Sequence, residues 1–206
     1  MSSRKAPCHR AAGLFLLASL TAPARSQEPP EIRSVAFGGL AGQNFHPTSH
    51  GFSEFAGAFA DIGKFISRKL ELGLDLHPIL LIRQPNGHPL GTGDQTVPAA
   101  ALDLILRWFP GPTPLGARWY LEVADGPFWS WHRVPAGGTR FNFLTQAGTG
   151  FLFPAGRGWS VLAGYRWVHI SNADLGELNP SWNYHTLILG LRHEKFPGKE
   201  TSAGKR

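Results

Sequence analysis

A histidine followed two residues later by a serine, His169-Ile170-Ser171, is the part of this sequence best suited to chemistry. In an extended chain residues i and i+2 project from the same face, so the imidazole can reach the hydroxyl. That geometry lets a histidine act as general base for a serine nucleophile. Asn183 comes after a loop and opens the next strand. If the two strands pair antiparallel, its side-chain carbonyl stands beside His169 and can hold the tautomer that leaves the other ring nitrogen facing Ser171. Asn172 and Asn179 add amides able to donate to a tetrahedral oxyanion. Trp167 shares the face of the His/Ser pair and, with Asn172, is a candidate substrate contact. His-x-Ser alone recurs by chance in a chain with nine histidines, so the longer run from Tyr165 to Asn183 carries the discrimination.

The elements that must hold these side chains are strands. Period-two alternation recurs along the chain, with hardly any helical period. Leu70, Leu72, Leu74 and Leu76 alternate with Lys69, Glu71, Gly73, Asp75 and His77. Leu102, Leu104, Leu106 and Trp108 oppose Asp103 and Arg107, and Trp119, Leu121 and Val123 oppose Arg118, Tyr120 and Glu122. The pattern predicts eight strands, at 33–41, 52–63, 68–78, 98–109, 116–124, 140–151, 158–169 and 183–193. Their lengths suit the roughly 9–11 residues of a tilted transmembrane strand. Connections after strands one, three, five and seven are expected to be long (42–51, 79–97, 125–139, 170–182), and those after two, four and six short (64–67, 110–115, 152–157). This is the layout of an all-β fold, an eight-stranded antiparallel transmembrane β-barrel of the outer-membrane type. Trp108, Trp119, Trp129, Trp131, Trp159, Trp167 and Trp182, with Phe109, Phe128 and Phe151, are expected near strand ends as interfacial girdles. Lys69, Glu71, Asp75, Asp103, Arg107, Arg118 and Glu122 are expected to pair inside the barrel. The alternation alone equally fits a soluble sandwich with one wet face.

Composition agrees with a folded chain rich in turns: 42% hydrophobic and 17% charged residues, with 25 Gly and 17 Pro. Residues 1–24 are expected to be a secretory signal peptide, because Arg4, Lys5 and Arg10 precede the small and apolar run Ala11 to Leu20 and the segment Ala22-Pro23-Ala24. The barrel is then expected over 25–196 and a polar tail over 197–206. Removing 1–24 removes three positive charges and no negative ones, taking the net charge from +6 to +3 and weakening any case for nucleic acid as a partner. The single cysteine, Cys8, goes with it, so disulfides, thiol catalysis and cysteine-bound zinc are not expected.

The run His169-Ile170-Ser171-Asn172-Ala173, followed by Asn179-Pro180, resembles the active-site segment of the PagL-type lipid A 3-O-deacylases, outer-membrane esterases built on eight-stranded barrels. By that resemblance His169 corresponds to the base, Ser171 to the nucleophile and Asn179 to an oxyanion-hole side chain. The spacing from Ser171 to Asn179 matches the family's, and the main-chain N–H of Asp174 corresponds to the second oxyanion donor. The resemblance implies an outer-membrane location, lipid A of lipopolysaccharide as substrate among the other outer-membrane lipids, and no cofactor or metal. It leaves a homodimer open and gives no role to nucleic acid. Two positions depart from the family's type member, which carries Glu where Asn183 stands and Gly where Asp174 stands. An asparagine can orient a histidine but supplies no negative charge for the imidazolium. The expectation is a slower enzyme, or a carboxylate such as Glu177 acting in its place.

Parity supports an outward-facing site. His169 shares its face with Val161, Ala163, Tyr165 and Trp167, an apolar and aromatic set suited to lipid, whereas Gly164 and Arg166 face the interior. Strand seven runs outward, which puts the pair near the leaflet that holds lipid A. Two other functions compete: a non-catalytic eight-stranded outer-membrane barrel used in adhesion or membrane integrity, and an exported soluble barrel binding a lipophile inside. The second predicts apolar residues within and polar ones outside.

Overall fold

Leucine alternating with charge becomes the two faces of one closed sheet. The computed structural model describes residues 33–44, 51–86, 93–111, 113 and 116–195. The expected signal peptide at 1–24 and the expected tail at 197–206 lie outside the described residues. Eight strands follow one another: β1 (Arg33–Gln43), β2 (Glu54–Phe65), β3 (Leu70–Pro85), β4 (Asp94–Trp108), β5 (Arg118–Val134), β6 (Thr139–Gly156), β7 (Trp159–Ser171) and β8 (Trp182–Lys195). Each pairs antiparallel with its neighbours, and β1 pairs with β8 to close the barrel. Closure leaves no sheet edge without hydrogen bonds, which a strand structure in lipid requires.

The outer wall is apolar. Leu72, Leu74, Leu76, Leu102, Leu104, Val123, Leu187 and Leu189 are all exposed on it. The interior is ionic. Arg107 donates to Asp61 and to Glu122, each at 2.7 Å. Arg166 donates to Glu122 at 2.5 Å and to Asp75 at 2.7 Å. Arg192 donates to Glu71 at 2.7 Å and to Glu194 at 2.9 Å. His77 lies between Asp75 and Asp103, at 3.5 and 3.4 Å. Buried charges persist only when paired in this way. A soluble lipophile-binding barrel would have these two faces reversed, so that alternative is excluded and the barrel is of the outer-membrane type.

Several sequence expectations need correction. Lys69 is exposed in the β2–β3 turn instead of inside, because the turn closes through the Ile66 and Ser67 N–H groups on the Leu70 carbonyl. Arg118, the first residue of β5, is 35% exposed but still pairs with Glu194. Phe109, Phe128 and Trp182 are buried in the interior and not in a girdle. Trp108, Trp129, Trp131, Phe151 and Trp159 do stand on the outer wall. The expected long loop 125–139 shrinks to residues 135–138, since β5 runs on to Val134 and β6 begins at Thr139. Gly126-Pro127 suggests a strand break by composition. In the barrel, a Cβ at Gly126 would lie 2.1 Å from the Leu102 carbonyl oxygen, so glycine there permits close strand approach and the strand continues. Pro127 is still in register, opposite Phe143.

Candidate active site

The β7–β8 ladder puts His169 directly opposite Asn183. The imidazole Nδ1 lies 2.8 Å from Asn183 Oδ1, and since the amide oxygen can only accept, Nδ1–H donates. This fixes the tautomer and leaves Nε2 as the basic nitrogen. Trp167, the preceding residue on the same face, stacks on the ring with centroids 5.7 Å apart and planes at 18°. His169 is thus held from the side by an amide and along its strand by an indole. Ser171, two residues on and outward like His169, closes β7 opposite Phe143 of β6. Both side chains are half-buried and reachable from outside the wall. No hydrogen bond joins the imidazole to the Ser171 hydroxyl among the described residues, so the two share a face without being engaged.

The loop from Asn172 to Ser181 is organised by Asn172, which is buried and not positioned to contact a substrate as the sequence suggests. Its Nδ2 donates to the Leu178 carbonyl at 2.8 Å, and its Oδ1 accepts from the Asp174 N–H at 3.1 Å. The expected oxyanion donor at Asp174 therefore already has a partner, for a local reason. Ala173 and Asp174 adopt φ of 51° and 63°, and that left-handed turn brings the Asp174 N–H back onto the Asn172 side chain. Asn179 is exposed, and its Oδ1 accepts from the Asn172 N–H at 3.1 Å. With the oxygen anchored, Nδ2 is the end available to an oxyanion. The loop also rests on the start of β6: a Cβ at Gly176 would lie 2.9 Å both from Asn172 Nδ2 and from Thr139 Cγ2. Glu177 is exposed and makes no hydrogen bond to His169 among the described residues.

Beneath the loop, Ile170 pairs with Trp182, and both are fully buried. The Trp182 Nε1–H donates to Gln84 Oε1 at 3.3 Å. This plug separates the outward site from the interior. Arg166 and Arg192, one residue type that could attract lipid phosphates, are buried among interior carboxylates instead.

Two polar residues of this sector escape the sequence reading. Thr145 of β6 faces His169 across the β6–β7 ladder, and Asp125 of β5 faces Thr145 across the β5–β6 ladder. The Thr145 hydroxyl donates to Asp125 Oδ1 at 2.5 Å. Their signal lay in the outward parity of Leu121 and Val123, which Asp125 continues once β5 is allowed past Ala124. Further down the same sector, the Tyr165 hydroxyl lies 2.5 Å from His185 Nδ1.

The barrel is similar to the outer membrane protein OprG from Pseudomonas aeruginosa, with a TM-score of 0.58 and 8% identity over 82% of this chain and 98% of that one. It is also similar to Neisserial surface protein A, with a TM-score of 0.53 and 13% identity over 79% of this chain and 96% of that one. Identities this low bear on the fold alone. No curated protein matches the sequence. The family model of lipid A 3-O-deacylase (PagL) matches residues 85–192, a span that contains His169, Ser171, Asn179 and Asn183. That match covers just over half of the chain, and the chain belongs to the lipid A 3-O-deacylase (PagL) family.

Proposed function

We propose that the protein is a serine esterase of the outer membrane that hydrolyses the ester-linked 3-hydroxyacyl chain at position 3 of lipid A. The observation that carries this reading is the hydrogen bond from His169 Nδ1 to Asn183 Oδ1 at 2.8 Å, with Ser171 on the same outward face. It leaves Nε2 free to take a proton from the serine. Ser171 Oγ attacks the ester carbonyl carbon while its proton passes to His169 Nε2. The Asn179 Nδ2 donates to the oxyanion that forms. As the tetrahedral intermediate collapses, the imidazolium returns the proton to the departing sugar oxygen, leaving an acyl-serine. Water then attacks that ester, again losing its proton to His169. The products are a free 3-hydroxy fatty acid and a lipid A with a free hydroxyl, and Ser171 is regenerated. No step needs a metal or cofactor. A site on the outer wall receives the acyl chain directly from the membrane, and Trp167 beside His169 offers it an aromatic contact.

The test is mass spectrometry of lipid A from cells expressing the wild type or Ser171→Ala. Loss of one 3-hydroxyacyl group with the wild type, and not with the variant, is the expected result. An unchanged acyl pattern, with folded wild-type protein in the outer membrane, would overturn the reading. That outcome would favour a non-catalytic barrel acting in adhesion or membrane integrity, a reading supported by the missing His169–Ser171 hydrogen bond and the uncharged Asn183.

A further inference from the structure

Away from the strand ends, the outward face of the barrel is apolar except in one sector, and within that sector stands an acid. Among the outward-facing positions of the described strands, Asp125 is the only carboxylate that is not at a strand end; Glu54 and Asp94 open β2 and β4. It lies below the exposed Trp129 and Trp131 on the same strand, on the side of Val123 and Leu121. An ionisable group on a lipid-facing wall is costly and marks function by default. Four residues form one continuous rung across four strands: Asp125, Thr145, His169 and Asn183. Both ends of the rung are hydrogen-bonded, Thr145 to Asp125 at 2.5 Å and His169 to Asn183 at 2.8 Å. Asn183 fixes the imidazole but carries no charge. The other ionisable groups nearby are differently engaged: Tyr165 with His185, and Asp174 and Glu177 in the exposed loop.

We propose that Asp125, held in place by Thr145, is the carboxylate that stabilises the His169 imidazolium during ester hydrolysis. It is a positioning residue, since Thr145 stands between it and the histidine. Among the described residues no hydrogen bond joins Thr145 to the imidazole, whose Nδ1–H is taken by Asn183, so Thr145 serves to hold the Asp125 carboxylate in the rung and the effect on the imidazolium is electrostatic. The negative charge lies about two strand spacings, roughly 10 Å, from the imidazolium. At an effective dielectric of about 20, that separation corresponds to about a tenfold effect on a step that creates the cation. The inference rests on the serine esterase reading above.

The test measures two readouts in detergent-solubilised protein: lipid A deacylation, and covalent labelling of Ser171 by a fluorophosphonate, which needs an activated serine but no lipid A. Asp125→Asn, which keeps the side-chain shape, and Thr145→Val should each lower kcat and the labelling rate by about tenfold, with KM within about twofold of wild type. Adding Asn183→Glu to Asp125→Asn should restore both rates, because a carboxylate then reaches the imidazole directly. Heat-modifiable migration on gels confirms that each variant has closed its barrel. Wild-type rates in folded Asp125→Asn would overturn the proposal. So would a loss confined to KM, or one that Asn183→Glu leaves unrepaired, since either marks a substrate contact or a structural role. Wild type that neither labels nor deacylates would instead overturn the esterase reading.

Discussion

His169 and Asn183 face each other across the β7–β8 ladder, with Nδ1 of the imidazole 2.8 Å from the amide oxygen. The contact separates two jobs that a carboxylate at the same place would do together. Orientation and tautomer are supplied by Asn183; the compensating charge is not. Asn183→Glu should therefore raise kcat on lipid A, by about tenfold, since only the charge is gained. Asn183→Leu should lower it by at least about a hundredfold, because the tautomer is no longer set. Steady-state deacylation in mixed micelles distinguishes the two. Equal rates in wild type and Asn183→Leu would remove Asn183 from the site.

Asn172 is expected to matter through the loop and not through the substrate. Its side chain holds the Asp174 N–H and the Leu178 carbonyl, and its own N–H holds Asn179 Oδ1. Asn172→Ala leaves the Asp174 N–H and the Leu178 carbonyl without their side-chain partner, and because both residues are exposed the cost is modest, about 1 kcal/mol, and confined to the loop. Hydrogen exchange should accelerate across 172–181 while the strands stay protected. Activity should fall because the loop that carries Asn179 loosens, even though the Asn172 main-chain N–H that its Oδ1 accepts from is kept. Unchanged exchange in that loop would contradict this.

The interior network should set the stability of the barrel independently of the site. Arg166 is fully buried, and its guanidinium serves Glu122 at 2.5 Å, Asp75 at 2.7 Å and Gln146 at 3.2 Å. Arg166→Met leaves Glu122 with Arg107 alone and takes from Asp75 its hydrogen-bonded guanidinium, which should cost about 3–5 kcal/mol. The temperature at which the folded band on a gel converts to the unfolded one should drop sharply. Adding Asp75→Asn should recover part of the loss, because the carboxylate left without its guanidinium is neutralised. Independent, additive losses would show that the two residues do not act as a pair.

The strands and the site differ in how far they could be inferred from sequence, for physical reasons. Alternation in β4, β7 and β3 up to His77 is regular because one face meets lipid and the other paired charge, so period two survives there without long-range information, whereas an irregularity between His77 and Leu80 shifts the rest of β3 by one residue. The pairing of His169 with Asn183 follows from hairpin register across a loop that the sequence delimits well. Gly126-Pro127 misleads because a glycine needed for close strand approach looks the same in sequence as one that ends a strand. That single misreading cuts β5 at Ala124 and hides Asp125. Asn172 and Asp174 are misassigned for a different reason: a loop's internal hydrogen bonds depend on left-handed residues at 173 and 174, and composition does not reveal them.

Trp167 provides a last check on how His169 is held. Its ring stacks on the imidazole at 5.7 Å and 18°, and it is the outward neighbour of His169 along β7. Stacking of this kind is worth about 0.5–1.5 kcal/mol. Trp167→Ala should therefore lower kcat/KM by about two- to tenfold, and Trp167→Phe by less, since a smaller ring keeps part of the contact. If Trp167 instead serves mainly as a lipid anchor, the loss should vanish in detergent and appear only in bilayers. Parallel assays in micelles and in outer-membrane vesicles separate the two, and an effect of equal size in both assigns Trp167 to the site.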